Sequence, residues 1–253
     1  MTTHFFGDTA VLTGRSLRHI TRSPDTIITT ALMPVAFLLL FVYVFGGAID
    51  TGSERYVNYL LPGILLITIG MGISYTAYRL FMDLQSGIFE RFQSLPITRS
   101  SVLWAHVLTS VFSTLISLVI VVLVAVLIGF RSGMGVLAWL AVTGILVLFA
   151  LAMTWLALIA GLSAKSVDGA GAFSYPIIFL PFVSSAFVPT DSMPGPVRAF
   201  AENQPVTSIV NTIRDLFAQQ SVGTGIWTAL AWCLGILVVA YALGMASYHR
   251  RLA

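Results

Sequence analysis

The chain has 253 residues, of which 57% are hydrophobic and only 9% are charged. Soluble domains carry roughly a quarter of charged residues, so this composition excludes a water-soluble globular protein. The net charge of +3 gives no indication of nucleic-acid binding, and the single cysteine, Cys233, excludes a disulfide framework and a cysteine-ligated metal site.

Uncharged apolar stretches long enough to cross about 30 Å of hydrocarbon recur along the chain. Backbone polar groups in lipid must be paired within their own segment, so such stretches predict transmembrane helices. We therefore expect an all-α polytopic membrane protein with six transmembrane helices and a single integral membrane domain over 1–253. The predicted spans are Ile27–Ile49, Val57–Tyr78, Val102–Phe130, Met134–Ala164, Gly169–Val188 and Ile226–Tyr248.

Residues 1–26 predict a cytoplasmic interfacial helix that precedes the first span. At 100° per residue Arg15, Arg18 and Arg22 share one helical face, opposite small and apolar residues. Such a helix is typical of an anchor on anionic membrane lipid, which is the favoured interpretation. Contact with a cytoplasmic partner is the alternative, and both roles are compatible.

The distribution of lysine and arginine predicts the orientation. If the N-terminus is cytoplasmic and the chain crosses six times, nine of the 13 basic residues lie inside and four outside. The positive-inside rule then places both termini on the cytoplasmic side of the inner membrane. The inner set is Arg15, Arg18, Arg22, Arg79, Arg91, Arg99, Lys165, Arg250 and Arg251, and the outer set is Arg55, Arg131, Arg198 and Arg214.

The cytoplasmic loop at 82–101 predicts a short amphipathic helix between the second and third spans. Its apolar residues, among them Phe92 and Leu95, follow one helical face, with polar residues turned away. Pro96 ends this helix, and Ser100 or Ser101 is a suitable N-cap for the third span. The loop is therefore a compact element held between two spans.

Two sets of side chains within the spans are candidates for a substrate path. Ser110, Ser113 and Ser117 recur at helical spacing in the third span, and helix packing through hydroxyl groups is the favoured interpretation. The alternative is that this stripe lines the path. The fifth span adds an aromatic set that would suit an amphipathic, ring-bearing or lipid-like cargo: Tyr175, Phe179 and Phe182.

The extracytoplasmic segment at 189–223 separates the fifth and sixth spans. Prolines break any continuous helix in its first half, and an amphipathic helix follows Pro205. That helix is too short to span, so it is expected to lie in the outer headgroup region or to re-enter the bilayer. It either closes the outer ends of the bundle or forms an outer gate with Phe200, Asn203, Pro205 and Arg214.

No residue pattern indicates catalysis. The only lysine, Lys165, lies in GLSAKS, where Ala164 replaces the glycine that a phosphate-binding loop requires. We therefore expect no ATPase site, no catalytic residue and no bound cofactor, and the four histidines show no metal-ligand spacing. Charged residues are absent deep within the spans, which disfavours an ion-coupled secondary transporter. That class stays an alternative, as does a non-transporting membrane scaffold or an integral enzyme.

The loop carries a glycine, then Glu-Arg, then Leu-Pro and an arginine, at Gly87, Glu90, Arg91, Leu95, Pro96 and Arg99. In this it resembles the cytoplasmic loop of type-two ABC exporter permeases, which include daunorubicin-resistance-like and polysaccharide export permeases. The outer segment also resembles that family, with Met193-Pro194, Phe200, Asn203-Gln204-Pro205 and Arg214, although Gln204 interrupts the usual Asn-Pro pair. The resemblance covers essentially the whole chain and is closer to the drug-resistance branch.

This resemblance implies the permease subunit of an ATP-driven exporter that moves an amphipathic drug, lipid or glycolipid by alternating access. Two separate cytoplasmic ATPase subunits, holding ATP and Mg, would drive two permeases, as a homodimer or with a related permease. The loop would be the coupling helix that docks on the ATPase. Its implied coupling residues are Asp83, Gly87, Glu90, Arg91, Phe92, Leu95, Pro96 and Arg99.

Overall fold

The structure of the chain, a computed structural model, describes residues 7, 9–14, 16, 24–46, 55–87 and 99–252, with the backbone alone at 24–29, 99, 249, 251 and 252. The regular elements among these residues are all helical, as the composition predicts. The helices are α1 (Pro24–Leu40), α2 (Tyr56–Gln85), α3 (Arg99–Leu127), α4 (Val136–Ser163), α5 (Val167–Ala172), α6 (Ser174–Phe179), α7 (Gly195–Asn203), α8 (Pro205–Phe217) and α9 (Gly225–Leu252). A π-helical turn over Phe41–Phe45 extends α1, and 3-10 turns cover Leu180–Val183 and Thr190–Ser192.

Four described helices are long and apolar enough to cross a membrane, and they coincide with four predicted spans. Two apolar helical segments, Thr30–Phe45 and Val167–Val183, are shorter, at 10–17 residues. At 1.5 Å per residue, 17 residues extend about 26 Å, slightly less than a hydrocarbon core of roughly 30 Å. The count of six spans therefore stays a prediction. The four long segments are Tyr56–Gln85, Ser100–Leu127, Val136–Ser163 and Gly225–Tyr248.

The second helix, α2, lies at the centre of the bundle. Within its most apolar window 78% of the residues are buried, against 33% in α3, 39% in α4 and 22% in α9. α1, α3, α4, α5, α6 and α8 all pack against it. Its fully buried side chains include Leu60, Leu61, Ile64, Ile67 and Ile73.

Glycines on α2 allow the fifth apolar segment to approach closely. A Cβ atom added at Gly63 would lie 2.6 Å from the Ala186 Cβ, and one added at Gly70 would lie 3.2 Å from the Ile178 Cγ1. Membrane helices use small residues in this way to bring their backbones together. The segment 167–183 and the turn that follows it therefore run along α2.

The fifth apolar segment is interrupted. The sequence predicts a span over Gly169–Val188, whereas a turn at Phe173 separates α5 from α6, and the helical course ends in a 3-10 turn at Val183. Proline has no N–H group, so Pro176 and Pro181 cannot bond the carbonyls four residues before them. The helical ladder therefore breaks at both places.

Two short helices, α7 and α8, follow within the predicted outer segment. α8 begins at Pro205 as expected, but α7 occupies the proline-rich half that the sequence predicts to be broken. Pro194 precedes α7 and Pro196 lies in its first turn, where an N–H group needs no helical partner, so these prolines begin a helix. α8 covers the end of the bundle that the sequence predicts to be outer, with Val206, Ile209, Val210, Ile213 and Phe217.

Candidate functional site

The predicted coupling loop is described at its two ends. α2 ends at Gln85, and Gly87 follows with a φ of +70°, a left-handed conformation that glycine adopts without steric cost. The Gly87 amide donates to the Leu84 carbonyl at 3.4 Å and closes the end of the helix. α3 begins at Arg99, so the loop starts and ends on regular helices.

Most of the predicted coupling residues lie outside the described part of the chain. The same holds for the N-terminal arginines Arg15, Arg18 and Arg22, and the side chain of Arg99 is not described. Their assignments stay predictions. The undescribed loop residues are Glu90, Arg91, Phe92, Leu95 and Pro96.

The predicted coupling residue Asp83 contacts the third helix. Its Oδ2 lies 3.4 Å from the Nε2 of His106, and both side chains are largely buried. Asp83 is close to the end of α2, and His106 is close to the start of α3. The contact therefore joins the two helices on either side of the loop.

Hydroxyl pairs continue this contact along the bundle. The Ser110 and Thr76 hydroxyls are hydrogen-bonded between α3 and α2, and the Ser117 hydroxyl lies 3.1 Å from the Thr30 hydroxyl of α1. We call these two pairs and the Asp83–His106 contact the polar seam. Two of the three predicted path serines are thus engaged in helix packing, as the favoured interpretation expects.

A small cavity lies beside the polar seam. Its volume is about 30 Å³, and hydroxyl groups from α1, α2 and α3 line it, including those of Ser110, Ser113 and Ser117. The hydroxyl of Thr109, which also lines the cavity, is buried without a hydrogen-bond partner among the described residues. The three path serines therefore share one polar cavity.

A wider groove adjoins this cavity. It has a volume of about 540 Å³ between α2 and the α5–α6 region, and Tyr175 lines it together with Tyr78 and Asp168. Thr30 and Tyr75 line both the cavity and the groove. The structure thus places Tyr175 near the serine stripe.

The other two predicted path residues lie elsewhere. The ring of Phe182 is 6.1 Å from that of Phe37 and 5.0 Å from that of Phe187, so it joins the fifth segment to α1. Phe179 lies 6.0 Å from Phe182 and is 63% exposed. Neither ring lines the described cavity or groove.

Arg214 connects three elements at the end of the bundle that the sequence predicts to be outer. Its Nη2 donates to the Ser185 carbonyl at 2.8 Å and to the Tyr59 carbonyl at 3.2 Å, and its Nη1 donates to the Asn211 Oδ1 at 3.0 Å. The guanidinium also lies 3.8 Å from the centre of the Tyr59 ring, a cation–π contact. Tyr59 and Ser185 bond each other as well, at 3.0 Å. We call this group of four residues the outer clamp.

The other predicted gate residues do not join the outer clamp. Phe200 is exposed on α7, the Asn203 side chain donates to the Ala199 carbonyl of its own helix at 2.8 Å, and Pro205 begins α8. The arrangement therefore favours closure of this end of the bundle, predicted to be outer, over a gate made by all four residues.

Sequence reasoning missed the contribution of Gln204. This side chain is buried, and its Nε2 donates to the Val183 carbonyl at 2.6 Å and to the Leu180 carbonyl at 3.2 Å. The two carbonyls belong to the 3-10 turn Leu180–Val183, which contains Pro181. The only signal in the sequence is a glutamine at the break between two helices.

The protein is a helical membrane bundle, and its interior holds a polar cavity beside a wide groove. These are features of a transporter. No group of three or more His, Cys, Asp or Glu residues that could hold a metal occurs in the part of the chain that the structure describes. The chain belongs to the ABC-2 type transporter family, whose model matches residues 8–218.

Its relatives are transport permeases. The daunorubicin resistance ABC transporter permease protein of Streptomyces coeruleorubidus is 29% identical over 241 residues, covering 94% of this chain and 84% of the relative. A protein of Mycobacterium tuberculosis named as a probable doxorubicin resistance ABC transporter permease is 28% identical over 251 residues, covering 98% and 90%. The chain is thus the membrane subunit of an ABC exporter, a type of subunit that works with a separate ATPase subunit.

Proposed function

We propose that this exporter subunit crosses the inner membrane six times, with both termini in the cytoplasm. α1 has 17 residues and its π-helical turn adds five, which together extend about 33 Å at 1.5 Å per residue. The fifth segment meets α2 at two levels: Gly171 lies beside Ser74 of α2, and Ser185 lies beside Tyr59 of α2. Fifteen residues of α2 between these levels rise about 22 Å, most of a hydrocarbon core. The basic residues, nine against four, support the orientation.

The loop at 82–101 docks on a cytoplasmic ATPase subunit in this proposal. The family match carries it, because an ABC-2 membrane subunit implies an ATPase partner. The loop residues that resemble the family, centred on Glu90 and Arg91, supply the docking surface. The Asp83–His106 contact joins the helices at both ends of the loop, so a displacement of the loop is transmitted to α2 and α3.

The complete exporter contains two ATPase subunits and two permeases, either identical or related. ATP and Mg bind the ATPase subunits, and this chain binds no cofactor of its own. Closure of the ATPases around ATP drives alternating access in the permease pair. An amphipathic drug-like compound is the proposed substrate class, because the named relatives are daunorubicin and doxorubicin resistance permeases. The groove beside Tyr75, Tyr78 and Tyr175 is the proposed entrance.

The experiment that tests the coupling loop measures ATP hydrolysis by the partner ATPase in the presence of the permease. Glu90→Lys and Arg91→Glu are each expected to lower the permease-stimulated rate at least tenfold while the protein still inserts into the membrane. Glu202→Lys, a charge reversal on exposed α7, is the matched control and should leave the rate unchanged. Full stimulation with both loop variants would remove the assignment of the loop.

A further inference from the structure

Two arginine side chains converge at the outer end of α3. The Nη1 of Arg131 donates to the carbonyls of Val126 and Phe130, each at 2.8 Å. The Nη1 of Arg55 donates to the Gly129 carbonyl at 3.1 Å. Both guanidinium groups therefore lie against the same turn, 126–131, which we call the arginine turn.

The arginine turn is fixed before any ligand arrives. Asn58 of α2 donates from Nδ2 to the Arg131 carbonyl at 3.2 Å, and its Oδ1 accepts from the Arg131 amide at 3.4 Å. Gly129 has a φ of +110°, a conformation that suits glycine. A ligand that binds here would not need to order this backbone.

The positive charge of the arginine turn is not compensated within the part of the chain that the structure describes. Arg198, by contrast, meets Asp191 and Glu202 at 2.7 Å each. Helix capping accounts for the Nη1 bonds of Arg55 and Arg131. The Nε and Nη2 groups of both side chains have no acceptor among the described residues, and such a fork of donors matches a phosphate group.

An apolar groove of about 260 Å³ runs between α3 and α4. Val119 and Leu123 on its wall are 57% and 58% exposed, so the groove opens sideways toward the bilayer. Apolar side chains line the groove almost entirely, which is the surface that an acyl chain needs. Other wall residues are Leu118, Val122, Trp139 and Phe217.

The apolar groove and the arginine turn are continuous. The Phe130 ring of the turn lies 5.1 Å from the Phe217 ring of the groove, and the neighbouring Ser132 hydroxyl donates to the Phe217 carbonyl at 2.9 Å. Val119 and Val126 are two helical turns apart on one face of α3, about 10 Å along its axis. The Val126 carbonyl, which accepts from Arg131, therefore lies at the outer end of the face of α3 that lines the groove.

We propose that the arginine turn and the apolar groove form a binding site for one glycerophospholipid. The phosphate bonds Arg55 and Arg131, and one acyl chain lies in the groove between α3 and α4. At the end of a membrane helix, cationic groups meet lipid headgroups and apolar walls meet acyl chains, and a phospholipid carries both chemistries in this order. The site goes beyond the proposed export function and does not depend on the ATPase partner.

Native mass spectrometry of the purified full-length chain tests the site. The protein is titrated with phosphatidylglycerol and, separately, with a diacylglycerol of the same acyl chains that lacks the phosphate. We expect one phosphatidylglycerol to be retained at least tenfold better than the diacylglycerol. Arg55→Gln combined with Arg131→Gln should remove this preference, because the phosphate loses its charged donors. Equal retention of both lipids by the unchanged protein would overturn the proposal.

The groove is tested independently with Val119→Trp, which fills it from its lipid-facing side. This variant should weaken phosphatidylglycerol retention roughly tenfold, while Val238→Trp, at a 65% exposed position on α9 away from the groove, should not. Arg198→Gln is the matched control for charge, because Asp191 and Glu202 already neutralise this arginine.

Thermal unfolding keeps the test informative if a variant is unstable. Phosphatidylglycerol should raise the Tm of the unchanged protein and of Val238→Trp, but not of Val119→Trp. If millimolar inorganic phosphate displaces phosphatidylglycerol and Val119→Trp does not change its retention, the site binds an anion and not a lipid. Cross-linking of Val119→Cys between two copies would show that a second chain covers the groove, and either result would overturn the proposal.

Discussion

The outer clamp and the polar seam both join separate elements of the bundle through polar groups, but they use different chemistry. In the outer clamp, one guanidinium bonds two backbone carbonyls and one side-chain amide and covers a tyrosine ring. The polar seam uses two hydroxyl pairs and one 3.4 Å contact between Asp83 and His106. Charge-assisted hydrogen bonds contribute about 1.5–3 kcal/mol, and hydroxyl bonds between membrane helices about 0.6 kcal/mol.

This difference indicates where the bundle can move. Moving the guanidinium out of the outer clamp would take a charged donor from the Tyr59 and Ser185 carbonyls, and only the Ser185 carbonyl would keep the Tyr59 hydroxyl as a donor within the clamp. Because this loss is costly, the ends of α2, the fifth segment and α8 that meet at the clamp are expected to stay together. Hydroxyl pairs of the polar seam exchange partners at little cost, and each pair includes a residue of α3, one of the two helices that the predicted coupling loop joins. We expect helix rearrangement during transport to occur at the polar seam rather than at the outer clamp.

The largest effect is expected for Arg214. Arg214→Ala removes every bond of the outer clamp that this guanidinium makes and should lower the free energy of unfolding by about 1.5–3 kcal/mol. Arg214→Lys keeps the charge but not the fork of donors, so it should recover only part of this loss. Thermal unfolding in detergent measures both, with exposed Arg198→Lys as the control. If Arg214→Ala had the same Tm as the unchanged protein, the outer clamp would not be the stronger of the two groups of contacts.

A smaller loss is expected for Gln204. Gln204→Ala removes the donor to the Leu180 and Val183 carbonyls, but the buried Oε1 of Gln204 has no partner among the described residues, and its removal partly offsets the loss. The expected net decrease in the free energy of unfolding is about 1–2 kcal/mol. Asn203→Ala, which loses only a bond within its own helix, should cost less. A larger loss of unfolding free energy for Asn203→Ala than for Gln204→Ala would show that Gln204 does not hold the fifth segment.

The Asp83–His106 contact is expected to matter more for coupling than for stability. A double-mutant cycle with Asp83→Ala and His106→Ala should give an interaction energy of about 0.5–1 kcal/mol in unfolding experiments. In the same variants, permease-stimulated ATP hydrolysis should fall several-fold, because the ends of the loop are no longer joined. Unchanged stimulation would limit the contact to packing.

The smallest effects belong to the serines of the polar seam. Ser110→Ala and Ser117→Ala should each lower the free energy of unfolding by about 0.6 kcal/mol, the usual contribution of a hydroxyl bond between membrane helices. Ser113→Ala should have less effect, because this hydroxyl lines the cavity without a described hydrogen-bond partner. Chemical denaturation in mixed micelles measures the series. Losses as large as that of Arg214→Ala would show that the seam is as rigid as the clamp.

Local sequence patterns determined the membrane class, the positions of four long helices and the helix that begins at Pro205. These features follow from hydropathy and from proline chemistry, which act over a few neighbouring residues. The spacing of Ser110, Ser113 and Ser117 also indicated a shared polar face, and the structure places all three at one cavity.

Only the tertiary structure decided the partners of these side chains. Arg214 bonds the Tyr59 carbonyl across 155 positions of the chain, and Ser117 meets Thr30 across 87. Periodicity gives the face of a helix on which a residue lies, but it does not give the neighbouring helix that this face meets. Gln204, which interrupts the expected Asn-Pro pair, holds the fifth segment because that segment passes beside it in space.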